Sequence, residues 1–232
     1  MIHLYGLTSQ PSHVEGLAGI DDRPVAELTC GPLHAATTTH DRAPSPTEEA
    51  ALAHAATVAA LAEATPTLPV RFGVQHAHVD GLRAALAEVQ DQLVAALESV
   101  GDAAEFVVRL DRPRTTTAAP AARQEDEAHP ESPNAGPGYT YLSRRLAQQH
   151  AQVAQHREVL AELRSVTRAL DPQARQVIER SGPRGPERCF LVPRTHVDGF
   201  AEAAAAAAGA LDRGVWGGPW PPYSFVEEAV PT

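Results

Sequence analysis

The run His76-Ala77-His78-Val79-Asp80-Gly81 is the part of this chain whose residue types and spacing come nearest to chemistry. Histidines two apart can lie on one face of a strand and share a metal through neutral imidazoles. A carboxylate two residues further on can complete the site or orient a ligand. With 11 His in the chain, a pair two apart also arises by chance. Other chemistries lack their parts. All 19 basic residues are Arg, so a phosphate-binding loop of the Gly-Lys-Ser type and a Schiff-base enzyme both lack their amine, which a guanidinium does not replace. No Ser is flanked two positions away on both sides by Gly, and no His-Glu-x-x-His run or dinucleotide fingerprint after a strand occurs. Cys30 and Cys189 are too few for a disulfide framework, a four-Cys zinc site or an iron-sulfur cluster, and read as reduced, buried thiols.

The His76 run is similar to the His-x-His-x-Asp-His motif of metallo-β-lactamase-like hydrolases, with Gly81 where that motif carries another His. A metal-dependent hydrolase using His76, His78 and Asp80 is therefore the alternative function, with one ligand of its second metal missing. The remaining His residues show no ligand spacing, and the carboxylates spread along helix faces, where solvation explains them. No catalytic residue, metal or cofactor is expected.

Composition narrows the rest. The chain has 232 residues and a net charge of -10, and Ala supplies 43 residues, so large apolar side chains are scarce. An acidic balance without a basic cluster argues against nucleic acid, whose phosphates supply most non-specific affinity. No stretch approaches the roughly 18 apolar residues of a membrane span, and Met1 to Leu7 carries no basic segment or apolar h-region. A soluble, cytoplasmic protein is the expectation.

The elements that position these residues are α+β. Ile2 to Leu7, Pro24 to Cys30 and Leu33 to Thr39 read as strands separated by turn formers. Ser45-Pro46-Thr47-Glu48-Glu49 starts an Ala-rich helix to about Ala64, with Leu52, Val58 and Leu61 in its apolar stripe. Leu68-Pro69-Val70-Arg71-Phe72-Gly73-Val74 follows as a short apolar segment with one charge. A single helix from about Val79 to Val100 is predicted from Leu82, Leu86, Val89, Leu93 and Leu97, ending at Gly101. These make an N-terminal β-rich α+β domain, residues 1–101.

From residue 102 the pattern restarts. A strand from Glu105 to Leu110 precedes a polar, Pro-rich segment at about 111–138, predicted to be a disordered loop because it buries too little apolar area to offset its ordering entropy. A helix from about Tyr139 to Leu170, strands near Ala174 to Glu179 and Arg188 to Pro193, a helix from Val197 to Ala210 and an extended segment from Val215 to Val226 complete the order β, α, β, β, α, β. That is the ferredoxin-like split βαβ order, giving a second domain over 102–232 with an aromatic tail at 215–232. In the long helix, Leu142, Leu146, Gln149, Val153, His156, Leu160, Leu163, Thr167 and Leu170 form a heptad seam with three polar interruptions. About 30 residues of helix span roughly 45 Å, more than short strands cover, so part should project. The seam suits either packing on this chain's own sheet and first domain or an intermolecular coiled coil, through which the protein would self-associate.

The tail Trp216-Gly217-Gly218-Pro219-Trp220-Pro221-Pro222-Tyr223-Ser224-Phe225-Val226 holds both Trp of the chain. Its prolines keep it extended, so the rings form a rigid adhesive strip that either packs back on its own domain or meets a partner. Three segments together, Leu68-Pro69-Val70-Arg71-Phe72-Gly73, Tyr141-Leu142 at the opening of the long helix, and Gly218 to Val226, resemble the gas vesicle F/L family of accessory proteins. Tyr5-Gly6, Gly19-Ile20-Asp21 and Phe190-Leu191-Val192 match in order and spacing. The resemblance implies a non-enzymatic role in the gas vesicle, as a minor component that binds the small hydrophobic shell subunit and limits its aggregation during nucleation, alongside other accessory proteins. Candidate contact or structural residues are Arg71, Phe72, Tyr141, Leu142, Trp216, Trp220, Tyr223 and Phe225, with Arg71 expected in a buried or half-buried ion pair.

Overall fold

The computed structural model describes residues 1–111, 137–182 and 184–226, with backbone alone at 137–141, 144 and 152. The Pro-rich loop expected at about 111–138 lies, from 112 to 136, outside the described residues, as does the tail beyond Val226.

Strand β1 (Ile2–Thr8) is buried along its whole length because both of its faces are covered. Ile2, Leu4 and Leu7 point into one core, and Tyr5 into another, with the register shifting between Leu4 and Gly6. β2 (Ala26–Cys30) and β3 (Leu33–Thr39) form a hairpin through Gly31, which adopts φ +61°, and β3 pairs antiparallel with β1. α1 (Glu48–Ala64) starts where Thr47 Oγ1 accepts from the Ala50 amide, with Glu48 and Glu49 against the positive end of the helix dipole. Its buried face is Ala50, His54, Thr57, Val58, Leu61 and Ala62. Leu52, expected in that stripe, is 64% exposed, because two residues from Ala50 is about 200° around the helix. The other edge of β1 pairs with two short strands, β4 (Leu68–Pro69) and β5 (Gln75–His76).

The predicted single helix over Val79 to Val100 is two helices, α2 (Val79–Glu88) and α3 (Gln90–Val100). β-branched Val89 leaves helical geometry at φ -117°, ψ 17°. The bend lets Leu82 and Leu86 on one half and Leu93 and Leu97 on the other reach the same core, on the face of the first sheet opposite α1.

The second sheet contains β6 (Ala103–Leu110), β7 (Gln176–Gly182), β8 (Gly185–Pro193) and β9 (Gly214–Trp220) in the order β7-β8-β6-β9, with every pairing antiparallel. α4 (Pro137–Thr167) and α5 (Val197–Gly209) cover one face, where Phe106, Val108, Phe190 and Val192 meet Leu163, Leu170, Phe200 and Ala204. Cys189 is buried and Cys30 half-buried; both are free thiols. The two sheets are tied together. Leu191 and Val226 enter the core of the first sheet, Arg175 Nη1 donates to the Val100 carbonyl at 2.7 Å, and Arg194 pairs with Asp102 at 2.9 Å while donating to the Ala62 carbonyl.

Candidate functional site

The aromatic tail is built into the fold. β9 pairs with β6, setting Trp216 opposite Val108 and Trp220 opposite Glu105. Trp216 stacks on Phe106 at 6.3 Å and 18°. A Cβ at Gly217 would collide with the Trp220 ring, so only Gly permits that ring to fold over the strand. Beyond Pro221 and Pro222, a 3₁₀ turn (Tyr223–Phe225) directs Tyr223 to the core under α1 and Phe225, with Val226, to the core under α2 and α3. One segment therefore contributes to three apolar clusters. Of the sequence alternatives, the tail packs back on its own chain. Trp220 alone among its rings is strongly exposed, at 46%.

Beneath the turn, the Ser224 amide and hydroxyl donate to the Glu105 carboxylate at 2.8 and 2.5 Å. Burial pushes the Glu105 carboxyl up, and the two Ser224 bonds oppose that shift. Burial also pushes the Tyr223 phenol and the Cys189 thiol up to about 12. A cleft of about 460 Å³ opens beside them, lined by Ala55 and Ala59 of α1 with Val107, Arg109, Trp220 and Tyr223. Its ionisable groups are Glu105 held by Ser224, Glu187 paired with Arg180, Arg109 and the protonated Tyr223 phenol, an arrangement that suits cohesion better than proton transfer.

The Leu-Pro-Val-Arg-Phe-Gly segment joins β4 to a turn with Gly73 at φ +100°. Leu68 and Val70 are buried, and Phe72 is half-buried, 5.8 Å from the His3 ring and 5.7 Å from the His54 ring. Arg71 is exposed, not buried, because the turn carries its side chain outward. Val70 anchors this segment through its amide, which donates to the Tyr5 carbonyl at 2.9 Å, and its carbonyl, which accepts from His54 Nε2 at 2.8 Å.

That last bond belongs to a buried network that sequence reasoning missed. Because His54 Nε2 donates to Val70, neutral His54 accepts at Nδ1, from His3 Nε2 at 2.9 Å. Among the described residues, His3 Nδ1 is then a buried acceptor with no hydrogen-bond partner. Tyr5 stacks on His54 at 5.1 Å and 21°, receives the Ile20 amide at 2.9 Å, and bonds Thr38, whose hydroxyl meets His40 Nε2 at 2.8 Å. Burial first, then the neighbouring His54 and His40, lowers the His3 pKa to about 4; burial also lowers those of His54 and His40. His3, His40 and His54 lie far apart in the chain. The only early signal was His54 at a helical position between buried Ala50 and Val58.

The predicted metal ligands are not brought together. His76 is half-buried on β5, His78 is exposed at the N-cap of α2, and Asp80 is exposed and pairs with Arg83 at 3.7 Å. Among the described residues no group of three His, Cys, Asp or Glu is arranged to hold a metal.

On α4 the heptad seam divides. Leu163 and Thr167 are buried, as is Leu170 in the 3₁₀ turn (Arg168–Gln173) that ends the helix three residues earlier than expected, and Arg188 secures this end by donating to Thr167 Oγ1 at 2.5 Å and pairing with Asp171 at 3.1 Å. Leu142, Leu146 and Val153 are 64%, 54% and 44% exposed.

The family model described as gas vesicle synthesis protein GvpL/GvpF matches residues 1–227. The chain belongs to the GvpL/GvpF family. Among curated relatives of this gas vesicle family, gas vesicle protein F of Streptomyces sp. (strain CB03234) is 30% identical over 238 residues, covering 97% of this chain and 99% of that protein. Gas vesicle protein L of the same organism is 28% identical over 188 residues, covering 76% of this chain and 68% of its own length. The crystal structure of GvpF from Microcystis aeruginosa superposes with a TM-score of 0.73 at 18% identity, covering 97% of this chain and 98% of that one. GvpF from Anabaena sp. PCC7120 gives 0.70 at 16%, covering 97% and 94%. The mixed helix and sheet architecture is thus a GvpF fold. In this family member the motif residues Phe72, Trp216, Tyr223 and Phe225 are packing residues, while Leu142 and Trp220 face solvent. The side chain of Tyr141 lies outside the described residues.

Proposed function

We propose that this GvpL/GvpF protein is an assembly factor and minor component of the gas vesicle that binds the small hydrophobic shell subunit and limits its aggregation during nucleation. It works without catalysis or cofactor, in the cytoplasm and at the vesicle, alongside other gas vesicle accessory proteins and without nucleic acid or membrane as partners. The observation that carries the reading is the apolar row Leu142, Leu146 and Val153, exposed on α4 in a chain whose large apolar residues are otherwise mostly buried. A shell subunit with an apolar face needs a soluble escort that masks that face, and a net charge of -10 keeps the complex dispersed. No helix among the described residues is long and apolar enough to cross a membrane, which fits a partner met in solution.

The scaffold for this task is read as two domains, 1–101 and 102–232, the second a ferredoxin-like split βαβ. The antiparallel order β7-β8-β6-β9, with α4 and α5 on one face, supports that assignment. Co-expression with the shell subunit tests the function. More of the subunit should remain in the supernatant after centrifugation, and unchanged sedimentation would count against it.

A further inference from the structure

The helix α4 spans 31 residues, about 46 Å at 1.5 Å per residue. Its seam runs in steps of four and three, making Leu142, Gln149, His156 and Leu163 the d positions and Leu146, Val153, Leu160 and Thr167 the a positions. From Leu160 onward that seam is filled by the second sheet and α5. Before it, the seam continues in register but faces solvent, with Leu142, Leu146 and Val153 all exposed. Among the described residues, half of a coiled-coil interface is present without its other strand.

Charge selects the occupant. Although the whole chain carries -10, the stretch 137–157 contains three Arg and neither Asp nor Glu. Arg145, at a g position, and Arg157, at an e position, flank the exposed seam, and both are exposed. These are the positions whose charges choose partner and orientation in a coiled coil. A second copy of this helix paired in parallel would set Arg145 opposite His150 and Arg157 opposite Gln152, and in either orientation its exposed half offers no Asp or Glu to meet them. Self-pairing therefore gains no ion pair beside the seam, whereas an acidic partner gains one at each Arg. We propose that the exposed half of α4 docks an amphipathic helix of a different protein, one with aliphatic residues at its own a and d positions and Glu or Asp at the flanking e and g positions.

The inference rests on the escort reading for its setting and adds the chemistry of the partner. The test uses the full chain and two synthetic four-heptad peptides with the same Leu seam, one with Glu and the other with Lys at every e and g position. The Glu peptide should bind about tenfold or more tightly than the Lys peptide, and binding should weaken as salt rises. Leu142→Ser, Leu146→Ser and Val153→Ser together should abolish it without changing the thermal midpoint, and Arg145→Glu with Arg157→Glu should reverse the preference. Equal binding of both peptides, binding of neither, or a dimer of the chain that the triple Ser variant dissolves would each overturn the inference. Loss of the peptide preference with the shell subunit still kept soluble would sink the docking chemistry alone. A persistent peptide preference with no effect on the shell subunit would sink the escort reading alone.

Discussion

The aromatic tail and the exposed half of α4 both concentrate apolar side chains in a chain poor in them, yet they end in opposite situations. The tail is consumed by the fold: Trp216 stacks on Phe106, and Tyr223, Phe225 and Val226 divide between two further cores. The helix keeps Leu142, Leu146 and Val153 in water. Apolar density in a sequence therefore does not identify a contact surface. What separates the two is whether the neighbouring backbone can bring a second surface to them. β6 offers the tail an unpaired sheet edge, whereas among the described residues the second core reaches α4 only from Val159 onward.

The largest effect should come from removing the tail. Truncation after Gly214 deletes most of β9, Trp216 and the Glu105–Ser224 bonds, and the protein should lose its cooperative thermal transition. Trp216→Ala alone should cost about 2 kcal/mol, read by denaturant unfolding, because a large half-buried ring stacked on Phe106 is removed. If either variant remained as stable as the parent, the tail would belong with the helix as a free surface.

Acid should act next, and on the core beneath the tail's Tyr223. His3 is held neutral down to about 4 by burial, and His54 and His40 are lowered in the same direction. An unfolded His titrates near 6.5, so between about 6.5 and 4 the unfolded chain takes up protons that the folded chain refuses. Stability should thus be flat with pH above about 6.5. It should fall as pH drops through that window, by about 1.4 kcal/mol per pH unit for each such group fully inside it. Denaturant midpoints from pH 7.5 to 4.5 check this, and His3→Gln should flatten the slope. The smallest stability effect belongs to the helix: Leu142→Ser, Leu146→Ser and Val153→Ser should each change stability by no more than about 0.5 kcal/mol, since exposed sites lose little.

These contrasts also mark what was legible in the sequence. Strand β3, the helix α1 and the helix α5 follow from periodicity and turn formers, and the seam of α4 is readable to the residue. Which half of the seam is covered was not, because that depends on where β6 and β8 end. The break at Val89 escaped because Leu82 to Leu97 keep a helical spacing that a bend toward one core also satisfies. The histidine network escaped for a different reason. His3, His40 and His54 are joined only by the pairing of β1 with β3 and the docking of α1, while the visible pair His76 and His78 sits on two elements and builds nothing. Arg71 shows the same limit, since a single charge in an apolar run looks buried until the turn at Gly73 turns it outward.

The most direct test of the account is co-expression of the shell subunit with the full chain and with the Leu142→Ser, Leu146→Ser, Val153→Ser variant, followed by sedimentation. The account predicts that the parent chain holds the subunit in the supernatant, and that the variant, equally stable and equally expressed, lets it pellet. A variant that keeps the subunit soluble as well as the parent does would contradict it.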